Sequence, residues 1–144
     1  MSATNLSRPV ALLGVVAALN GFIAVACGSF AAHGLQHYVS AEVLPTWQTG
    51  VRYHMFHVLG AFIAMTIAGI VGMGNRGYRS ALMAGWLFLV GAMLFSGSLY
   101  LLVLAPQDWV IWTAPIGGGL FLLGWLALGV ASVRQWFRGK VDKI

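Results

Sequence analysis

The chain has 144 residues, of which 60% are apolar and 8% are charged. An ordinary soluble domain carries roughly 25% charged residues, and a soluble surface needs about a quarter to a third of its positions charged. The composition therefore excludes a soluble enzyme, a nucleic-acid-binding domain and a disordered tail.

Four uncharged stretches are long enough to cross a bilayer, which takes about 20 residues in a helix. They contain 33, 23, 28 and 25 residues. Backbone groups in lipid must bond internally, and no alternation of period two is present, so we predict helices rather than barrel strands. The expected fold is an all-α integral membrane bundle of one domain, 1–144, with four transmembrane helices at about 9–32, 51–73, 80–104 and 113–136.

The ends of these helices carry the usual signals. Ser7 is a candidate N-cap for the first helix, and Pro9 suits its first turn. A glycine-rich stretch at 72–77 ends the second helix, and Pro106 follows the end of the third. Pro115 marks the beginning of the fourth helix.

The basic residues predict an orientation. Four spans place both termini and the middle loop on one side of the membrane, and the other side holds Arg52 alone among basic residues. The first side holds seven of the eight basic residues: Arg8, Arg76, Arg79, Arg134, Arg138, Lys140 and Lys143. The positive-inside rule therefore predicts cytoplasmic termini and a multi-pass location in the inner membrane. The basic balance is a topology and anionic-lipid signal, and we predict no nucleic-acid partner.

Small residues form stripes along the helices. The first span carries glycines seven apart, at Gly14, Gly21 and Gly28, and the fourth carries Gly117 and Gly124 at the same spacing. Helices in lipid associate through close backbone approach, so these stripes predict tight helix contacts. The contacts lie either within the bundle or against a partner protein.

Polar side chains concentrate in the half of the bundle away from the termini. Such side chains are costly in a membrane and are functional candidates by default. The predicted cluster comprises Asn20, His33, Arg52, Tyr53, His57, Ser96, Ser98 and Tyr100. An unpaired Asn20 would cost several kcal/mol, so we expect it to bond to another helix. Arg52 is expected nearer the interface, pairing with Glu42 or with a lipid phosphate.

Helical spacing also orients the second span. Tyr53 and His57 share one face, which we expect to point into the bundle. If this helix begins near Val51, His57 lies only about 10 Å along its axis.

Three interpretations of the polar cluster follow. The first is structural, with side chains bonding between helices. The second is a small-solute or proton conduit that uses titratable imidazoles, although no acidic residue lies within the spans. The third is a haem or metal site. That site would use the pairs His33, His37 and His54, His57. No cysteine or carboxylate supports it, so we predict neither metal nor cofactor.

Several motifs resemble one family. They are Gly28-Ser29-Phe30-Ala31-Ala32-His33-Gly34-Leu35, Tyr53-His54-Met55-Phe56-His57-Val58-Leu59, Phe95-Ser96-Gly97-Ser98-Leu99-Tyr100 and Pro115-Ile116-Gly117-Gly118. In order and spacing the chain resembles the small four-helix membrane family known as domain of unknown function 423. The resemblance implies an integral membrane protein without an established activity. Its motif residues correspond to His33, Tyr53, His57, Ser96, Ser98, Tyr100 and Pro115. His54 stands where the family has glutamine, Ala114 where it has threonine, and His37 has no counterpart.

The functional prediction follows from these patterns. The spans offer neither paired carboxylates nor a nucleophile triad, so we predict a protein that is not an enzyme. The small-residue stripes predict a structural or accessory protein in the lipid bilayer. It packs against a larger membrane complex or forms a homo-oligomer.

Overall fold

A computed structural model describes residues 6–141, with side chains described through Phe137. This part of the chain is helical and contains no strand. Its four long helices are each apolar and long enough to cross a membrane. They are α1 (Arg8–His33), α2 (Leu44–Val71), α3 (Arg76–Leu104) and α4 (Val110–Val141). The predicted all-α fold with four membrane-spanning helices is confirmed.

The second helix begins earlier than the sequence predicted. It begins at Leu44 rather than near Val51, with Pro45 in its first turn. Trp47 is only 3% exposed, so the added turns are held by burial of this ring. His57 therefore lies about 20 Å along α2 rather than about 10 Å, which places it at the middle of the 28-residue helix.

Two further helix beginnings differ from the prediction. The third helix begins at Arg76 rather than Ser80, because the Asn75 side chain accepts a hydrogen bond from the backbone N–H of Gly77 and caps it. The fourth begins at Val110, a residue only 1% exposed. Pro115 consequently lies inside α4 rather than in its first turn.

The third helix is the centre of the bundle. It packs along both α2 and α4, whereas α1 packs mainly on α2. The Phe88 ring lies between two helices at positions without side chains. A Cβ added at Gly60 of α2 would come within 3.1 Å of this ring, and one at Gly124 of α4 within 2.6 Å. Small residues on the neighbouring helices thus make room for the aromatic core of α3.

The predicted glycine stripes lie at helix contacts. In α1 the three glycines face three α2 side chains that are also seven residues apart. The pairs are Gly14 with Met65, Gly21 with Val58 and Gly28 with Val51. In α4, Gly117 faces the backbone of α3, where an added Cβ would lie 2.5 Å from the Phe95 nitrogen. Antiparallel neighbours with matched spacing therefore approach closely along their length.

The two ends of the bundle differ. We call the end with the α1–α2 connection and the α3–α4 connection the histidine end, and the opposite end the terminal end. At the terminal end the Ser7 hydroxyl hydrogen-bonds to the Tyr78 hydroxyl at 2.8 Å. Arg134 donates to Ser80 Oγ at 2.6 Å and to the Arg76 carbonyl at 3.1 Å. These polar links between helices were not expected from the sequence.

Candidate functional site

A buried hydrogen-bonded chain joins three helices in the interior of the bundle. His54 of α2 is 2% exposed. Its Nε2 lies 3.3 Å from Asn20 Oδ1 on α1, and its Nδ1 lies 3.4 Å from the Tyr100 hydroxyl on α3. The residues Asn20, His54 and Tyr100 form what we call the His54 chain. Asn20 thus bonds to another helix.

The donors and acceptors of the His54 chain match one neutral arrangement. Asn20 donates through Nδ2 to the Val16 carbonyl at 3.0 Å, which leaves its Oδ1 as an acceptor. His54 then donates through Nε2–H to Asn20, and its bare Nδ1 accepts from the Tyr100 O–H. Both ring nitrogens are used, so His54 links three helices without carrying charge.

An indole and a thiol extend this chain toward the histidine end. The Trp47 ring packs on Tyr100 with centroids 4.6 Å apart. Its N–H donates to the Cys27 carbonyl at 2.9 Å and so ties α2 to α1. The Cys27 thiol lies beside the Tyr100 hydroxyl and is half-buried.

A second buried histidine bonds to different partners. His57 Nδ1 lies 2.8 Å from the Tyr53 carbonyl, which can only accept, so this nitrogen carries the proton. The Trp125 indole of α4 donates to the bare Nε2 at 3.4 Å. His57 is therefore satisfied as the neutral imidazole and connects α2 to α4.

Aromatic rings enclose His57. It stacks on Phe121 with centroids 3.4 Å apart and an interplanar angle of 7°. Phe88 and Tyr53 lie at centroid distances of 5.6 Å and 5.9 Å. The imidazole is thus a packed part of the core. Tyr53 itself is 42% exposed, so only His57 of the predicted pair points fully into the bundle.

The two serines of α3 are buried but differ in bonding. Ser98 donates to the Phe95 carbonyl of its own helix at 2.7 Å. Ser96 is fully buried, and within the described residues its hydroxyl has no hydrogen-bond partner. Neither hydroxyl bonds to a histidine.

Three further candidate residues lie outside the buried core. His33, His37 and Arg52 are exposed, whereas His54 and His57 are buried and bonded to separate partners. In the part of the chain that the structure describes, no three potential metal ligands lie together. Of the eight predicted cluster residues, the structure places Asn20 and Tyr100 at His54 and Tyr53 beside His57, and it leaves the side chains of His33 and Arg52 exposed.

Sequence reasoning missed several groups that organise this region. The sequence pattern indicates His54 only as an alternative metal ligand, yet it is the middle of a three-helix link. Trp47 and Trp125 lie outside the predicted cluster, although each indole N–H needs an acceptor when it lies in a membrane. That requirement was the one sequence signal that could have found them.

These features define a small integral membrane protein whose interior polar groups serve as links between its helices. Residues 27–118 match the family described as Protein of unknown function (DUF423), and the chain belongs to this family. This confirms the family that the motifs indicated.

Similar proteins occur in several bacteria. The chain is 41% identical over 118 residues to a UPF0382 membrane protein of Haemophilus influenzae, with 82% of this chain and 90% of the relative covered. It is 38% identical over 120 residues to the UPF0382 membrane protein YwdK of Bacillus subtilis, covering 83% of this chain and 94% of the relative. These descriptions name membrane proteins and assign no activity. No solved structure is detectably similar to the chain.

Proposed function

We propose that this protein is a non-enzymatic structural or accessory component of the inner membrane that packs laterally against a larger membrane complex or a second copy. The observation that carries the proposal is the bonding of His54 and His57. Each imidazole uses both ring nitrogens within the bundle. The residues best suited to proton chemistry are therefore engaged in joining helices.

The same bonding argues against a proton conduit. A relay through His57 needs one nitrogen to accept a proton while the other releases one. Here the acceptor nitrogen faces the Trp125 N–H, and an indole N–H does not release its proton at physiological pH. The ring also stacks closely on Phe121, so turning it away would disrupt core packing.

The open face of α1 supports lateral association. This helix is the least buried of the four: 28% of its most apolar stretch is buried, compared with 44% for α3. Ala18 and Ala32 are small, exposed and fourteen residues apart on one face, with the larger, exposed Val25 midway between them. Small side chains on an exposed helix let another helix approach closely, and this approach supplies the packing energy in lipid.

The expected orientation also belongs to this proposal. Arg8, Arg76, Arg79 and Arg134 lie toward the terminal end, and Arg52 lies toward the histidine end. Three more basic residues are expected at the terminal end, and their side chains are outside the described part of the chain: Arg138, Lys140 and Lys143. The positive-inside rule supports a cytoplasmic terminal end and an inner-membrane location.

Site-directed cross-linking tests the association. In a Cys27→Ser background, Ala18→Cys should cross-link to a second copy or to a companion protein in intact membranes. Leu122→Cys on α4 is the matched control, because Leu122 is 69% exposed but belongs to a different helix. Purification in mild detergent followed by cross-linking mass spectrometry then identifies the companion. A monomer without companions, or equal cross-linking at both positions, contradicts the proposal.

A further inference from the structure

A groove between α1 and α2 opens at the histidine end. Its volume is about 240 Å³. The α1 wall consists of small residues, and the α2 wall carries a guanidinium and an amide one helical turn apart. The lining residues are Gly28, Ala31, Ala32, Gln48, Val51 and Arg52. The missing side-chain volume on α1 creates the groove, and Arg52 and Gln48 place hydrogen-bond donors beside it.

Arg52 lies at the depth of lipid headgroups. From Arg52 to the end of α2 at Val71 the helix extends about 28 Å, close to the roughly 30 Å hydrocarbon core of a bilayer. The residues of α2 before Arg52, from Leu44 onward, add about 12 Å. Arg52 is therefore positioned at the boundary between hydrocarbon and headgroups, where lipid phosphates lie.

The Arg52 guanidinium has no partner within the described part of the chain. Neither Glu42 nor Asp108, the two acidic residues at the histidine end, forms an ion pair with it. Arginine keeps its charge and offers five donors in a planar fork that matches phosphate oxygens. An unpaired arginine beside a groove at this depth is suited to a phosphate from the lipid.

We propose that this groove binds the phosphodiester headgroup of a net-anionic phospholipid, with Arg52 and Gln48 as its donors. The preference for a net-anionic lipid follows from the lining, which contains one cation and no carboxylate. A zwitterionic headgroup would bring an ammonium into the groove without an acidic partner. This site shares Ala32 with the α1 face proposed for association, and its dependence on the Arg52 charge distinguishes it from that association.

Lipid binding is measured by native mass spectrometry of the full chain in mild detergent, titrated with short-chain phosphatidylglycerol or phosphatidylcholine. We expect phosphatidylglycerol to bind more tightly. Arg52→Gln should weaken its binding about tenfold, the scale of one charge-assisted hydrogen bond. Arg52→Lys should fall between, because it keeps the charge without the fork. Arg79→Gln is the matched control, since Arg79 is exposed at the opposite end, and it should leave the Arg52-dependent binding unchanged.

A second variant fills the groove without changing the charge. Ala32 is exposed and lines the groove, so Ala32→Phe should reduce phosphatidylglycerol binding with Arg52 intact. The Ala32→Phe variant also tests the groove if Arg52→Gln fails to fold, as judged by circular dichroism and gel filtration.

Three results would overturn the proposal. They are unchanged binding by a folded Arg52→Gln or Ala32→Phe variant, equal binding of both lipids, and Arg52-dependent binding of inorganic phosphate that is as tight as that of phosphatidylglycerol. The last result would identify free phosphate as the ligand rather than a lipid headgroup.

Discussion

The Trp125 indole on α4 donates a hydrogen bond to His57 Nε2 on α2 across 3.4 Å, although 68 residues separate the two. The α2 and α4 helices otherwise have little direct contact, because α3 lies between them. This bond and the stacking of His57 on Phe121 therefore link two helices that otherwise make few contacts with each other.

Two replacements of His57 should distinguish the stability contributed by its hydrogen bonds from the stability contributed by packing of its ring. His57→Phe keeps a ring in the stack but loses both hydrogen bonds, so we expect a loss of about 0.5–1.7 kcal/mol, the range for hydrogen bonds between membrane helices. His57→Ala also opens a cavity and should cost about 3 kcal/mol or more. Reversible unfolding in denaturing detergent, followed by tryptophan fluorescence, measures both. Equal losses for the two variants would show that the ring contributes little.

The His54 chain predicts a pair of contrasting variants. Glutamine carries both a donor and an acceptor, so His54→Gln should stay within about 1 kcal/mol of the unmodified chain in free energy of unfolding. His54→Leu leaves Asn20 Oδ1 and the Tyr100 hydroxyl unpaired and should cost about 1–2 kcal/mol. The same unfolding assay compares them. Leucine performing as well as glutamine would contradict the assigned bonding.

The glycines of α4 predict opposite effects of one added methyl group. At Gly117 a Cβ would come within 2.5 Å of the Phe95 nitrogen and 2.8 Å of the Gly91 carbonyl. Backbone atoms cannot move aside cheaply, so Gly117→Ala should cost about 1–3 kcal/mol. Gly119 has no atom within 4 Å of an added Cβ. Gly119→Ala should be neutral or gain up to about 1 kcal/mol from helix propensity. Thermal unfolding in detergent measures both, and a similar response at the two positions would refute the close packing of α3 on α4.

The Ser96 hydroxyl predicts a stabilising change. It is buried without a partner among the described residues, and an unsatisfied buried polar group costs about 1–3 kcal/mol. Ser96→Ala should therefore raise the free energy of unfolding by about 1 kcal/mol. Tyr100→Phe, one turn away, removes the hydroxyl that bonds His54 and should lower it. A marked loss from Ser96→Ala would mean that the hydroxyl has a partner such as a bound water.

The proposed orientation predicts which loops are accessible from outside the cell. In a Cys27→Ser background, Gln36→Cys at the histidine end should react with a membrane-impermeant maleimide in intact cells. Met73→Cys, 71% exposed at the terminal end, should react only after the membrane is opened. The reverse pattern would place the termini outside and reject the positive-inside assignment.

Much of the fold was predictable because bilayer thickness and backbone bonding leave few solutions for four long apolar stretches. The beginnings of the helices were less certain. An apolar turn that includes Pro45 or Pro115 is equally compatible with the end of a loop and with the first turn of a helix. Burial of Trp47 and of Val110 determines that α2 and α4 begin before these turns end. The spacing of Gly14, Gly21 and Gly28 indicated a contact face, but not that the facing residues would belong to α2.

By itself the sequence determined the class of protein: low charge excluded a soluble surface, and the length of the uncharged stretches required helices across a bilayer. It also identified Asn20 as a residue that must bond within the membrane. Only the tertiary structure decided that its partner is His54, that His57 bonds to Trp125, and that Arg52 lies beside a groove without a partner among the described residues. The physical reason is that a hydrogen bond forms only when the side chains point toward each other and the donor–acceptor distance is right to within a few tenths of an ångström. Helical spacing places a residue on a face, but the packing of neighbouring helices determines which atoms meet.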